Sequence, residues 1–321
     1  MRKKHFLFAS VLALLCGSST LHAQDFKLTS SGYFKNQGVD VMAFDDIYPE
    51  GHQGGVCIIM NGHRVATNGD IRLEATPGQW QPVPKQLDRK LGDNSITATL
   101  CYPDSSRHLT GFNPMIYPDL HLIYTVNVES KGKNIEVTVD LDRPIPQEFI
   151  GKVGFNLEFF PGSLFGKPWI MDGQSGIFPQ QPNSPLMTTQ PNYLHTGNYH
   201  DGKKSLADMD KLIGKGYSPI VADDIISEPY AKGTKFTSRP DDPYNKVTIE
   251  SLSGDLQLFD GRMNHNNGWF VLRSNIKPGV TKGAVKWIIT PNVVADWMYQ
   301  PVIQTSQIGY HPTQDKEIGR A

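Results

Sequence analysis

The chain has 321 residues, 38% hydrophobic and 20% charged, with a formal net charge of -1. That composition belongs to a folded protein with a sizeable core and excludes a disordered, low-complexity tail. The near-neutral balance gives no electrostatic reason to expect nucleic acid or an anionic membrane surface as partner.

The first element is a leader. Arg2-Lys3-Lys4 form a basic n-region, and Phe6 to Leu15 form an apolar h-region too short to span a bilayer. Leu21-His22-Ala23 supplies the small residue before cleavage near Gln24. Residues 1-23 are therefore read as a signal peptide, and the mature chain as exported, periplasmic or extracellular, and soluble. Lipid anchoring through Cys16 is disfavoured, because Leu14-Leu15 stand where small residues are expected. No later apolar run is long enough for a membrane span.

Residues 24-300 read as one all-β domain, a large antiparallel β-sandwich with long loops and little helix. Asn61-Gly62 and Asn68-Gly69 are turn signals. Period-two alternation then marks strands at Ile96 to Leu100, Leu120 to Val128, Ile135 to Leu141 and Phe155 to Phe159. It resumes at Val247 to Leu252, Leu256 to Phe259, Trp269 to Leu272 and Val285 to Ile289, with Asp172-Gly173 and Asp260-Gly261 as further turns. Asp140 and Asp142 alternate outward and read as solvated. Between the two strand-rich parts, Gly162 to Tyr199 lacks periodicity and reads as a long loop. Ser205 to Ile213 has helical spacing, ended by Gly214. Size and strand count match the two-sheet sandwich of sugar mutarotases and polysaccharide lyases, an architectural comparison that carries no catalytic motif.

Cys57 and Cys101 both lie in apolar, strand-like stretches. Export permits a disulfide between them, and two separate buried thiols fit the sequence equally. Two cysteines cannot supply a four-thiolate zinc site, and no His-x-x-x-His spacing supports a metal. No cofactor is implied: the P-loop, the dinucleotide fingerprint, the EF-hand loop and the Gly-x-Ser-x-Gly elbow are all absent.

Glycoside hydrolysis requires two carboxyl groups across the scissile bond. Asp223-Asp224 with Glu228 is a poor substitute, since adjacent strand residues face opposite sides. No catalytic residue is assigned. His195 and His200 flank Tyr199 in a polar stretch and could exchange protons near neutral pH, but no partner carboxylate is fixed by spacing. Sugar binding requires aromatic platforms beside planar hydrogen-bonding groups. Two stretches hold that inventory: Trp169, Asp172 and Gln174 in the first, and Arg262, Asn264 and His265 in the second. Each has a competing structural reading, Trp169 as a plug at a sheet edge and Asn266-Asn267-Gly268 as a plain turn.

Near the C-terminus the rhythm changes. Pro301 makes a stiff junction, and Ser306-Gln307-Ile308-Gly309-Tyr310 followed by Pro312 and Lys316 resembles the first strand of the immunoglobulin-like module of glycoside hydrolase family nine, the cellulase-like family. Residues 301-316 are thus expected to open a truncated module of that kind. Glu317 to Ala321 is what a common sequencing adapter would encode, and is expected to be an artefact. The resemblance implies that the chain is the non-catalytic N-terminal region of an exported β-glucan-degrading enzyme. Its partners would be β-glucan or an oligosaccharide and the missing C-terminal catalytic domain of the same polypeptide. The rival readings are a self-contained mutarotase- or lyase-like enzyme and a glycan-binding module.

Overall fold

The computed structural model describes residues 25-45, 54-74, 76-77, 84-102, 108-109, 115-116, 120-182, 227-263, 268-299 and 311-313. The leader, His195, His200, the helix expected at 205-213, Asp223-Asp224, Asn264, His265, Ser306 to Tyr310 and the last five residues lie outside that set.

Every strand pairing among the described strands is antiparallel, and three short 3-10 turns are the helical elements among the described residues. Its strands are β1 (Lys27–Leu28), β2 (Phe34–Asn36), β3 (Val39–Ala43), β4 (Val56–Met60), β5 (His63–Leu73), β6 (Lys85–Leu91) and β7 (Ser95–Cys101). Then come β8 (His108–Leu109), β9 (Met115–Ile116), β10 (Ile123–Lys131), β11 (Asn134–Leu141), β12 (Val153–Phe159), β13 (Pro168–Met171) and β14 (Gln174–Ile177). The last are β15 (Ala231–Gly233), β16 (Lys235–Ser238), β17 (Val247–Ser251), β18 (Leu256–Asp260), β19 (Phe270–Asn275) and β20 (Val285–Pro291). Two nine-stranded sheets result, ordered β1-β2-β3-β4-β5-β12-β19-β18-β15 and β14-β13-β16-β17-β20-β11-β10-β7-β6. β8 and β9 pair with each other in a separate two-stranded sheet.

The alternation seen in sequence sets which face each strand buries. In β10 and β11, Tyr124, Val126, Val128, Ile135, Val137 and Val139 are all at most 1% exposed. Their neighbours Thr125, Asn127 and Thr138 are half-buried on the other face. Asp140 does face outward, where it meets Lys282 Nζ at 3.0 Å. The facing sheet contributes Phe155, Leu157 and Phe159 from β12. Phe155 meets Trp287 edge-on at 4.9 Å, and Phe159 meets Phe236 edge-on at 5.8 Å. Trp287 Nε1 donates to Ser274 Oγ at 3.0 Å, so the one polar atom of that ring is satisfied in the core. Each such fully buried side chain contributes about 1.5–3 kcal/mol relative to exposure, which makes this interface the main support of the fold.

Three local features differ from the sequence reading. Asn68-Gly69 is not a turn but a bulge inside β5, where the β4 and β12 registers shift and Asn68 takes φ 56°. The aperiodic segment from Gly162 contains a hairpin, β13-β14, turning at Asp172-Gly173. Its strands are only four residues long, too short for alternation to show. Cys57 and Cys101 are thiols, one on β4 and the other on β7 in the opposite sheet, with no disulfide between them.

Candidate functional site

The densest set of ionisable side chains lies across the middle of the first sheet. Its central strand, β12, reads V-G-F-N-L-E-F and is buried at every position. Phe155, Leu157 and Phe159 are its apolar alternates; Gly154, Asn156 and Glu158 are the polar or small ones, and alternation would send them to water. They are instead covered, with Asn156 at 0% and Glu158 at 5% exposure.

Cross-strand register gathers the charges. Asn156 pairs with Asp70 of β5 on one side and Arg273 of β19 on the other. Gly154 pairs with Arg72 and Asn275. A Cβ on Gly154 would stand 2.8 Å from Arg273 Nε, so only glycine lets the guanidinium cross this strand. Glu74 follows β5 directly, and its side chain reaches back to Asn156 Nδ2 at 2.6 Å.

Arg273 is held by every donor it has. Nε donates to Asn275 Oδ1 at 2.8 Å; Nη1 donates to Asn156 Oδ1 at 3.0 Å and Glu74 Oε1 at 3.3 Å. Nη2 donates to the carbonyls of Glu74 at 2.9 Å and Lys152 at 3.1 Å. Those are the five N–H groups of a guanidinium. From the opposite sheet, Tyr124 Oη donates to Asp70 Oδ1 at 2.9 Å, and Tyr102 Oη donates to the Ile71 carbonyl at 2.8 Å. Asn68, raised by the bulge, donates from Nδ2 to Glu158 Oε2 at 2.5 Å.

The electrostatics follow from this burial. Desolvation pushes the Glu74 carboxyl up to about 7, although Arg273 and Arg72 pull it down. Desolvation likewise raises Asp70 to about 6 against the opposing charge of Arg72 and the hydrogen bonds from the Ile71 amide and Tyr124. Both tyrosine hydroxyls are held well above their ordinary value, first by burial and then by the Asp70 charge. Chemically, the cluster holds two buried carboxyls raised toward neutrality, and Glu74 Oε1, Asp70 Oδ1 and Glu158 Oε2 each accept a hydrogen bond from a side chain within it.

The sugar-binding candidates are placed differently. Trp169 is 6% exposed in β13, with its ring over Gly176. Asp172 accepts from Thr234 N at 2.5 Å, Thr234 Oγ1 at 3.1 Å and Lys235 N at 3.0 Å. These bonds, the Thr234 amide foremost, hold its carboxyl below the ordinary range. Gln174 Nε2 donates to the Lys232 carbonyl at 2.8 Å. Arg262 chelates Asp260 through Nε and Nη2, each at 2.8 Å, and donates to the carbonyls of Pro179 and Gln180. Its guanidinium also stacks 4.5 Å from the Phe270 ring centroid. Asp172, Gln174 and Arg262 therefore bond neighbouring strands and loops to one another, and Trp169 packs on the adjacent strand β14. Asp172→Ala is expected to cost about 1–2 kcal/mol in chemical denaturation, because charge-assisted bonds at an exposed turn are partly screened. A loss confined to glycan affinity, with unchanged stability, would contradict that role.

Asp70, Glu74, Asn156, Glu158 and Arg273 escaped sequence reasoning. The available signal was polar residues at matched positions of strands that turn out to be neighbours, and strand order is not visible in sequence. Among the described residues no group of three or more His, Cys, Asp or Glu side chains is arranged to hold a metal ion. None of their helices is long and apolar enough to cross a membrane.

No protein-family model matches the chain, and no curated protein matches it. Among solved structures, the chain is similar to the Slr1438 protein of Synechocystis sp. PCC 6803, at 10% identity and TM-score 0.35, over 84% of this chain and 96% of that one. It is also similar to a galactose mutarotase-like protein from Lactobacillus casei ATCC 334, at 11% identity and TM-score 0.37, over 83% of this chain and 98% of that one. Neither similarity identifies a residue or an activity in this chain.

Proposed function

We propose that the chain is a non-catalytic accessory sandwich of an exported, β-glucan-degrading glycoside hydrolase, whose catalytic carboxylates belong to another part of the polypeptide. The observation that carries this reading is the burial of the carboxyls around Arg273. Catalytic carboxyls must reach a substrate oxygen or a water. Here Glu74 is 1% exposed, Asp70 3% and Glu158 5%, and one oxygen of each accepts bonds from Asn156 and Arg273, from Tyr124 and from Asn68 respectively. The signal-peptide-like leader and the family-nine resemblance at Ser306 to Tyr310 supply the exported polysaccharide context.

A second reading has one observation in its favour. Carboxyls poised near neutral pH, as Glu74 and Asp70 are, suit general acid–base work and cluster at active sites. On that reading the sandwich would itself turn over a sugar. Purified chain is expected to release no reducing ends from mixed-linkage β-glucan and to leave the mutarotation rate of glucose and galactose at its uncatalysed value. Turnover that disappears in Glu74→Gln, with the variant still folded, would replace the accessory reading with the enzymatic one.

A further inference from the structure

The two Asn-Gly dipeptides that the structure describes are alike in sequence and differ in what their backbones can do. Asparagine is a thermolabile residue, and a following glycine makes it more so, because its amide nitrogen can approach the asparagine side-chain carbonyl with no Cβ in the way. The two-residue hairpin turns, types I′ and II′, interconvert by rotation of the central peptide plane. That rotation carries ψ of the first turn residue to about −120° while both flanking strands stay paired. The nitrogen of the next residue then eclipses Cβ, which is the arrangement a five-membered imide ring needs to close.

Asn61-Gly62 is such a turn. It joins Met60 of β4 to His63 of β5, which pair with each other. Asn61 has φ 53° and Gly62 φ 82°, and two successive left-handed residues make the type I′ pattern. Gly62 is exposed, so base can reach its amide. Rotating the 61-62 peptide plane leaves the Asn61 amide where it is, donating to the Gly38 carbonyl at 2.6 Å. Asn68-Gly69 lies instead inside β5, between β4 and β12. The Asn68 amide donates to the Gly54 carbonyl at 2.7 Å, and its Nδ2 donates to Glu158 Oε2 at 2.5 Å. Gly69 is buried, and a Cβ built on it would stand 2.6 Å from Val56 Cβ. Neighbouring strands on both sides therefore lock the backbone at this second dipeptide.

We propose that Asn61 is a self-modification site, where attack by Gly62 converts the asparagine through a cyclic imide to aspartate and isoaspartate. Base removes the Gly62 amide proton, and the nitrogen forms a bond to Asn61 Cγ. The Cγ–Nδ2 bond breaks, and Nδ2 takes up a proton from water and leaves as ammonia. Water then opens one of the two carbonyl–nitrogen bonds of the imide, and which one opens decides between aspartate and isoaspartate. The group that leaves is also the group that fastens a loop. Asn61 Nδ2 donates to the Tyr244 carbonyl at 2.5 Å, tying the β16-β17 connection to this hairpin. Conversion sets a carboxylate against that carbonyl, and the isoaspartate product also lengthens the backbone of a two-residue turn. Loss of the amide and release of the connection are thus one event.

The test incubates the full chain in mildly alkaline buffer and follows both sites by peptide mass, since tryptic cleavage after Arg64 puts Asn61 and Asn68 on separate peptides. Asn61 is expected to lose its amide about tenfold or more faster than Asn68, because a turn opens at far lower free energy than a strand inside a sheet. In urea the two should convert at similar rates, since the dipeptide is the same and the fold is gone. Hydrogen exchange at Tyr244 and Asn245, whose amides donate to Asp242, should rise as Asn61 converts. An Asn61→Asp variant should show that rise before any incubation. Equal rates at the two sites in the folded chain, or an Asn61 that stays intact while the urea-treated chain converts, would overturn the assignment. Unchanged exchange in both the converted chain and the variant would overturn the release of the connection.

Discussion

Replacing Arg273 by methionine is expected to lower the unfolding free energy by about 3–5 kcal/mol, the cost of breaking a buried ion pair from one side. Methionine keeps most of the side-chain length but none of the five donors. Glu74 Oε1 loses one of its bonds, Asn156 Oδ1 and Asn275 Oδ1 lose theirs, and the carbonyls of Glu74 and Lys152 are left short of a donor. The damage should reach beyond β19, because Lys152 and Glu74 flank β12 and β5 and the guanidinium ties their backbones together. Without Arg273 the Glu74 carboxyl is raised further and stays protonated at neutral pH, so adding Glu74→Gln to the methionine variant should cost little, and the two single losses should overshoot the double loss by about 1–2 kcal/mol, a coupling expected for residues in direct contact. Urea denaturation of the two single variants and the double variant measures this. Additive losses would show that Arg273 and Glu74 act independently, contrary to the network drawn here.

How far the sequence reveals this molecule depends on whether a feature is local. The strands at Ile96 to Leu100 and Ile135 to Leu141 could be read directly, because one face of each is buried and the other wet, which leaves a period-two trace. Asp172-Gly173 was legible as a turn for the same reason: the left-handed backbone at both residues needs those residue types. Asn68-Gly69 has the same dipeptide chemistry, yet becomes a bulge, since a positive φ inside a strand and one in a turn call for similar residues. The ion network was hidden because it depends on β5, β12 and β19 being neighbours, although roughly eighty residues separate the first two and more than a hundred the last two. Arg262 and Asp172 drew attention as polar groups beside aromatics. Only coordinates could reveal that Asp260, the Pro179 and Gln180 carbonyls and the Thr234 amide already occupy them.

The same burial predicts an unusual dependence of stability on pH. Glu74 titrates at about 7 in the folded chain against an ordinary value of 4.5, and Asp70 at about 6 against 3.8. A carboxyl whose folded value is raised binds more protons folded than unfolded in the interval between the two. Stability must therefore fall as pH rises through that interval, and the contribution is whole only below the unfolded value. Asp140, Asp172 and Asp242 have the opposite sign: their hydrogen bonds hold them low, so what they contribute is present above about pH 4 and lost on further acidification. The two trends place maximum stability near pH 4, with a decline of the order of 2–4 kcal/mol by pH 7.5 once coupling between Asp70 and Glu74 through Arg72 is allowed for. Denaturation midpoints measured from pH 4 to 8 should show that fall, and Glu74→Gln should flatten its upper part because the titrating proton is gone. A midpoint that rises steadily from pH 5 to 7 would mean that Glu74 and Asp70 are ionised at little cost. Solvent or counter-charge would then have to reach a cluster that the folded chain encloses, which would reopen the case for chemistry at this site.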